Sequence, residues 1–379
     1  MAMLETFKTA IIGCGVISEH YMKDLCNFFK ITEVVGCSDI VPEKSRIRAD
    51  QFNIRQMTNE EIYDDPEIKI VVNLTDPPSH YEVTKNALNA GKHVFSEKMM
   101  AVNLEEGEEL AALAKNKNLF YTIAPDKFLG AAGQTARWII DSGMIGMPVI
   151  VNAFCQRSYL LDRSDDLIRM IHREGGGIPF DMGGYFLHAL VNFFGPVEKV
   201  CGFAKTVNEN RKFLNPHNPR YGDDYKSPCI NTMSASLQFR SGVLGTFTIT
   251  SESINGPHKI EVIGTEGTLF MGDPSSFNCP VTVKKPFNTE PLTIPYTHSF
   301  ADRSYWGLGV ADMAYAARNN RKPRVDADIG LHAFEIIHKV WESTATGLTY
   351  TLKNNAERPM AMPRTGLSSQ AAEGTLDHS

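Results

Sequence analysis

The sequence predicts an α/β chain of two domains, a parallel sheet wrapped by helices followed by a larger α+β domain. Three observations carry this. From Lys8 to about Ala124, short β-rich apolar runs alternate with segments of helical period, the pattern of repeated strand–helix units. Gly13 and Gly15 stand at the first strand-to-helix junction. Beyond Pro125 the runs lengthen, several alternate with period two, and glycine turns join them, which marks antiparallel pairing. A chain of 379 residues is long enough for two full cores. The expected division is 1–125, 126–358 and a polar segment 359–379, read as a mobile tail or an arm onto another subunit.

In the first part, "TAIIGC", "EVVGCSD", "IKIVVNLT", "KHVFSEK" and "LFYTIAP" read as five strands. Ser79 is expected to open one helix and Gly91 to close it. Another helix follows Asn103, a good N-cap, with Glu105 and Glu106 in its first turn. "GQTARWIIDSGMIG" adds one more. The runs "PVIVNAFCQRSY", "EKVCGFAKTV", "TMSASLQFRSG", "VLGTFTITSES", "HKIEVIGTEGTLFM" and "PVTVKKP" then read as one open sheet. Helices return at "GVADMAYAARNN" and at "ADIGLHAFEIIHKVWESTATG", where Ile329, Ala333, Ile336, Ile337 and Val340 share a face.

Composition narrows the function. Lys and Arg number 38 against 44 Asp and Glu, a net charge of -6, which argues against nucleic acid and anionic membranes as partners. The seven cysteines are scattered and never spaced as a CxxC pair, so they read as reduced, packed thiols. No window reaches a spanning length without charges, and the start lacks a charged segment before an apolar one, so the expectation is a cytoplasmic chain without signal peptide or anchor. No HExxH or P-loop lysine pattern is present, so metal and ATP chemistry are not expected.

"AIIGCGVISEHY" supplies Gly13 and Gly15, with Ser18 in the place of a third glycine. The first glycine makes the turn, the second lets a pyrophosphate approach the backbone, and the helix N-terminus at Val16 and Ile17 faces its charge. Asp39 lies 26 positions after Gly13 at the end of the next strand, where a carboxylate accepts ribose hydroxyls and repels a 2'-phosphate; NAD is therefore favoured over NADP. This makes the first part a Rossmann domain. Thr75 and Pro77 with Pro78 are expected to form a stiff turn beside the cofactor, with His80 following and Glu97 and Lys98 at the next strand end on the same edge.

Four stretches together resemble the Gfo/Idh/MocA family, the glucose-fructose oxidoreductase and inositol dehydrogenase relatives: "IIGCGVIS", "NLTDPPSHYEVTKNALNAGKHVFSEK", "GGGIPFDMGGY" and "GVADMAYAARNNRKPR". The resemblance implies an N-terminal Rossmann domain and a C-terminal α+β domain whose large open, mainly antiparallel sheet forms a dimer face, hence a homodimer or homotetramer. It also implies that the family's Glu-Lys-Pro lysine is Lys98, with Met99 in place of the proline. In the second-domain motif the acid is Asp181, Tyr185 stands where many members have His, and His188 stands at a later acid position.

Removing a hydride from a secondary carbinol needs a base or cation at its oxygen. Lys98 suits that task, and Asp181 would hold the hydroxyl or orient Lys98. If "FDMGGYFLHALVNFF" is a helix, Asp181, Tyr185 and His188 lie at i, i+4 and i+7 on one face. Family position favours Tyr185 as the acid/base and intrinsic acidity favours His188. Lys127, Arg157 and Tyr159 are weaker candidates for substrate contact, and His258, His332 and His338 read as structural. The expected activity is NAD-dependent oxidation of a ring hydroxyl of a sugar, glycoside (C3 included) or cyclitol, or reduction of the ketone. A glycosidase or lyase using tightly bound NAD for transient oxidation is the alternative. A non-catalytic sensor fits less well, since Lys98 and Asp181 are both kept.

Overall fold

The computed structural model describes residues 6–158, 176–254, 256–354, 356–365 and 367. They form two compact units. In the first, six parallel strands, β1 (Phe7–Ile12), β2 (Thr32–Ser38), β3 (Arg55–Gln56), β4 (Ile70–Asn73), β5 (His93–Ser96) and β6 (Tyr121–Ile123), stand in the order β3-β2-β1-β4-β5-β6. The four residues of β4 are all buried, as expected where helices cover both sheet faces. Crossing helices are α1 (Val16–Asn27), α2 (Pro42–Phe52), α3 (Asn59–Asp64), α4 (Pro77–Asn89) and α5 (Leu104–Asn116). Asn103 caps α5 as expected, its Oδ1 accepting from Glu106 N at 2.9 Å. Strand order reverses between β1 and β4, and the carboxyl ends on either side of such a switch point are where open sheets bind ligands.

Two elements of this unit differ from expectation. β3 adds a sixth strand of two exposed polar residues at the sheet edge, so it leaves no apolar trace. Helix α4 starts at Pro77 rather than Ser79, because proline lacks only an N–H that the first helical turn leaves unbonded anyway. The expected stiff turn is therefore the first turn of a helix.

The same unit takes in His298–Leu331 and the described residues from Pro359 onward, so it is not the contiguous 1–125 block. α8 (Leu308–Arg318) and the start of α9 (Ala327–Thr346) pack on β6: a Cβ on Gly330 would lie 1.8 Å from the Ile123 side chain. The described part of the expected tail is held as well. Met362 and Leu367 are buried, and Ala361 O accepts from Arg324 Nε at 3.1 Å.

In the second unit, after α6 (Ala131–Asp141), come β7 (Pro148–Gln156), α7 (Ile178–Phe194), β8 (Val197–Lys205), β9 (Asn210–Lys212), β10 (Asp224–Lys226), β11 (Thr232–Phe239), β12 (Leu244–Thr250), β13 (His258–Gly264), β14 (Gly267–Met271), β15 (Val281–Lys284), β16 (Leu292–Thr293) and β17 (Tyr350–Thr351). All but β9 and β10 form one nine-stranded sheet, β16-β15-β14-β13-β7-β12-β11-β8-β17. Its pairings are antiparallel except β7 with β12, which run parallel because the chain leaves β7 through α7 before returning to the sheet. Along β11, Met233, Ala235, Leu237 and Phe239 are buried while Ser234, Ser236 and Gln238 are exposed. One face thus carries the core, with Phe186 of α7 against Phe247 of β12, ring centroids 5.7 Å apart. Among the described residues no helix is long and apolar enough to cross a membrane.

Candidate active site

At the switch point of the first unit, β1 stops at Gly13. Its φ is +100°, and a Cβ would lie 2.5 Å from Leu74 C and 2.6 Å from Thr75 N, so only glycine fits. Gly15 is the opposite case: a Cβ there would meet nothing within 4 Å. The open space lies at the N-cap of α1, where unbonded N–H groups favour an anion. A cavity of about 620 Å³ opens here, lined by Gly13, Gly15, Asp39, Thr58, Thr75 and Ser79 among others. Cys14 N donates to Asp39 Oδ2 at 2.7 Å and Val41 N to Oδ1 at 2.8 Å, which fixes the orientation of the carboxylate at the cavity. Val16 is exposed and Ile17 half-buried in the first turn of α1. Ser18 turns back onto the loop, its Oγ donating to Gly15 O at 2.6 Å. The donor set and the free space beside Gly15 fit a dinucleotide.

Behind the cavity, polar side chains fix backbone rather than face a ligand. His80, expected among the cofactor contacts, is fully buried, and its Nε2 lies 2.8 Å from Thr75 O while Nδ1 faces Met99 O. Burial pulls its imidazole below the ordinary value, opposed by those two carbonyls and by Glu97. It braces the backbone at Thr75, which lines the cavity. Pro77 is buried in the first turn of α4. Glu97 accepts from Tyr21 Oη at 2.7 Å on Oε1 and from Lys98 N at 3.1 Å on Oε2. Lys98 is half-buried at the end of β5.

Lys127, expected to reach for substrate, is instead 5% exposed inside the first unit. Its Nζ sits 3.8 Å from the Trp306 ring centroid, a cation–π contact with a desolvated ammonium. Burial pulls its pKa down, opposed by Asp126, Glu97 and Asp24; burial also pushes the neighbouring Asp126 carboxyl up.

In the second unit Gly177 has φ +98°, and a Cβ there would lie 2.2 Å from Ile230 O, so close packing requires a glycine. Helix α7 starts at the next residue and contains Asp181, Tyr185 and His188 at the expected spacing. Asp181 and Tyr185 are half-buried, whereas His188 is 2% exposed. Arg157 reaches this helix, Nη1 lying 3.2 Å from Met182 Sδ. Cys155, two residues before it, registers the surrounding charges: burial pushes its thiol up, Asp273 and Asp181 add to that, and Arg157 opposes. His258 pairs with Cys155 across β13 and β7, its Nδ1 3.9 Å from Asp273 Oδ2. Arg157, Asp181, His258 and Asp273 thus share one neighbourhood. Asp273 follows β14 in a turn, and no spacing or motif marked it in advance. Tyr159 and Gly175 lie outside the described residues.

Two family models match the chain. One, described as an oxidoreductase family with an NAD-binding Rossmann fold, covers residues 7–124, and one described as the GFO/IDH/MocA C-terminal domain covers 134–270. An uncharacterized oxidoreductase of Schizosaccharomyces pombe is 31% identical over 198 residues, 51% of this chain and 53% of that protein, so the chain spans about half the length of that curated relative. The scyllo-inositol 2-dehydrogenase (NAD(+)) of Bacillus subtilis is 25% identical over 275 residues, 70% of this chain and 73% of the other. Among solved structures, levoglucosan dehydrogenase in complex with NADH has a TM-score of 0.78 at 18% identity, covering 92% of this chain and 100% of that one, a likeness of fold.

Proposed function

Because the chain belongs to the Gfo/Idh/MocA oxidoreductase family, we propose that it is an NAD-dependent dehydrogenase acting on a secondary ring hydroxyl, or the matching ketone, of a sugar, glycoside or cyclitol. The observation that carries the cofactor reading is the pairing of open space at Gly15 with a hydrogen-bonded Asp39 carboxylate in one cavity. NAD, when bound, supplies the hydride acceptor. The substrate reading leans on relatives and fold neighbours named for cyclic polyols and anhydrosugars.

In this reading Asp39 accepts the ribose hydroxyls and Lys98 meets the reacting oxygen, taking its proton or stabilising developing negative charge. In the second unit, half-buried Asp181 and the Arg157 guanidinium beside α7 are the groups offered to a substrate hydroxyl. Of the two acid/base candidates, Tyr185 is half-buried and His188 almost fully enclosed, which supports Tyr185 as the proton-handling partner and His188 as packing. Self-association belongs to the same reading: the outward sheet face carries Phe203, 73% exposed, and Leu244, 54% exposed.

Lys98→Met should lower kcat about 100-fold or more while NAD affinity stays within a few-fold. A panel of sugars, glycosides and inositols with added NAD or NADP, read as nicotinamide absorbance, tests both cofactor and substrate. Normal turnover by Lys98→Met would remove Lys98 from the mechanism. Turnover on glycosides without added NAD, with bond cleavage, would favour the elimination chemistry instead.

A further inference from the structure

Glu97 has no free carboxylate oxygen in the first unit: Tyr21 Oη donates to Oε1 at 2.7 Å and the backbone N of Lys98 to Oε2 at 3.1 Å. Tyr21 comes from α1, the helix whose N-terminus borders the cofactor cavity. Its ring is 1% exposed and lies 5.8 Å from the Phe95 ring of β5 and 5.6 Å, edge-on, from Trp306. These two rings hold the Tyr21 ring in place. Its phenol points at the residue that precedes Lys98.

We infer that Tyr21 is a positioning residue for Lys98: by holding the Glu97 carboxylate against α1, it fixes the corner that carries Lys98 and limits how strongly that negative charge acts on the Lys98 ammonium. The inference rests on the reading of Lys98 as the proton-handling group. A phenol bonded to a carboxylate shares its negative charge, and hydrogen bonds to charged groups are among the strong ones. Without the phenol, Oε1 loses a donor and the carboxylate keeps more of its charge at the corner where Lys98 follows; both residues act electrostatically on the same His80. An unshared carboxylate beside an ammonium favours the charged form, so the Lys98 pKa rises.

The charged and titratable groups around Glu97 all enter this balance. Tyr21 approaches from α1 and Lys98 from the chain itself. His80 of α4 senses Glu97, as do Asp126 and Lys127 beyond β6. Of these, Tyr21 and the Lys98 backbone donate directly to its two oxygens. Tyr21→Phe removes one hydroxyl and keeps the ring contacts with Phe95 and Trp306, so the fold is retained.

The test is the Lys98 pKa, measured directly as a function of pH by NMR of protein whose lysines carry 13C-labelled methyl groups, with the Lys98 signal assigned from its loss in Lys98→Met. It is run on the wild type, Tyr21→Phe, Glu97→Gln and the double variant. Tyr21→Phe should raise the Lys98 pKa by about half a unit to one unit, and the same change made in Glu97→Gln should leave it in place. The basic shift should reappear in the rising limb of the kcat profile. No shift in Tyr21→Phe, a downward one, or an equal shift without the Glu97 charge overturns the inference. A Lys98 pKa that moves while the kcat limb does not would instead sink the catalytic reading of Lys98 and leave the positional link standing.

Discussion

Replacing Gly15 by alanine adds one methyl group where the folded chain has nothing within 4 Å, whereas the same change at Gly13 drives a methyl to 2.5 Å from backbone carbon. The two glycines stand two residues apart in one motif, yet the structure gives them different jobs. At Gly13 the substituted residue must hold φ +100°, which costs about 1–3 kcal/mol. It must also push back the Leu74–Thr75 backbone, an overpacking cost of about 1–3 kcal/mol more. The sum of roughly 2–6 kcal/mol corresponds to a melting temperature lowered by about 5–20 °C for a unit of this size. Gly15 has φ -72°, which alanine adopts without strain, so Gly15→Ala should leave stability within about 1 kcal/mol. Its methyl occupies the space assigned to the pyrophosphate and should weaken NAD about tenfold or more. Circular dichroism melts and calorimetric titration with NAD separate the two effects. If Gly15→Ala melts as low as Gly13→Ala, or binds NAD as tightly as the wild type, the assignment of that space is wrong.

Asp39→Ala should weaken NAD about tenfold and narrow the preference over NADP, read from the dissociation constants of both cofactors; an unchanged ratio would remove the ribose role. His332 gives a prediction in pH. Burial holds its imidazole down to about 4, and its Nε2 accepts from Val197 N at 2.9 Å, which needs a neutral ring. The unfolded chain binds this proton near pH 6.5 and the folded chain does not, so the stabilising contribution is complete above pH 6.5 and is lost as pH falls towards 4. It amounts to about 3 kcal/mol, and urea unfolding at pH 7 and pH 4.5 should show a smaller pH dependence in His332→Gln.

Much of this was readable in the residues because of how each element is buried. β4 is enclosed, so its Ile and Val appear as a continuous apolar run, and β11 alternates because only one of its faces is covered. β3 has no such imprint: Arg55 and Gln56 are exposed and pair only because β2 offers an edge. Gly13, Gly15 and Asp39 stand out in the sequence because their spacing is local, and all three line one cavity. The burial of Lys127 was not legible there, because it involves Trp306, far along the chain, and no nearby residue announces a cation–π contact. Asp273 was missed for the same reason: register places His258 beside Cys155, and only then does the turn after β14 bring its carboxylate to that cluster.

The polar residues inside the "NLTDPPSH" stretch illustrate what a motif encodes before any ligand is present. Asn73 is fully buried at the end of a strand of Ile and Val, an expensive place for an amide. Its Nδ2 donates to His80 O at 3.2 Å and to Thr84 Oγ1 at 3.1 Å, and its Oδ1 accepts from Thr75 N at 3.2 Å and Thr75 Oγ1 at 2.7 Å. All four hydrogen-bonding positions of the amide are thereby used. Thr75 O then meets His80 Nε2, and the other ring nitrogen reaches Met99 O, next to Lys98. A buried amide bonded at all four positions resists distortion. The motif therefore fixes the cavity wall at Thr75 and the corner at Lys98 together, and Tyr21 ties the same corner to the helix after Gly15. Placement of the lysine is thus a property of the folded first unit, set before cofactor or substrate arrives.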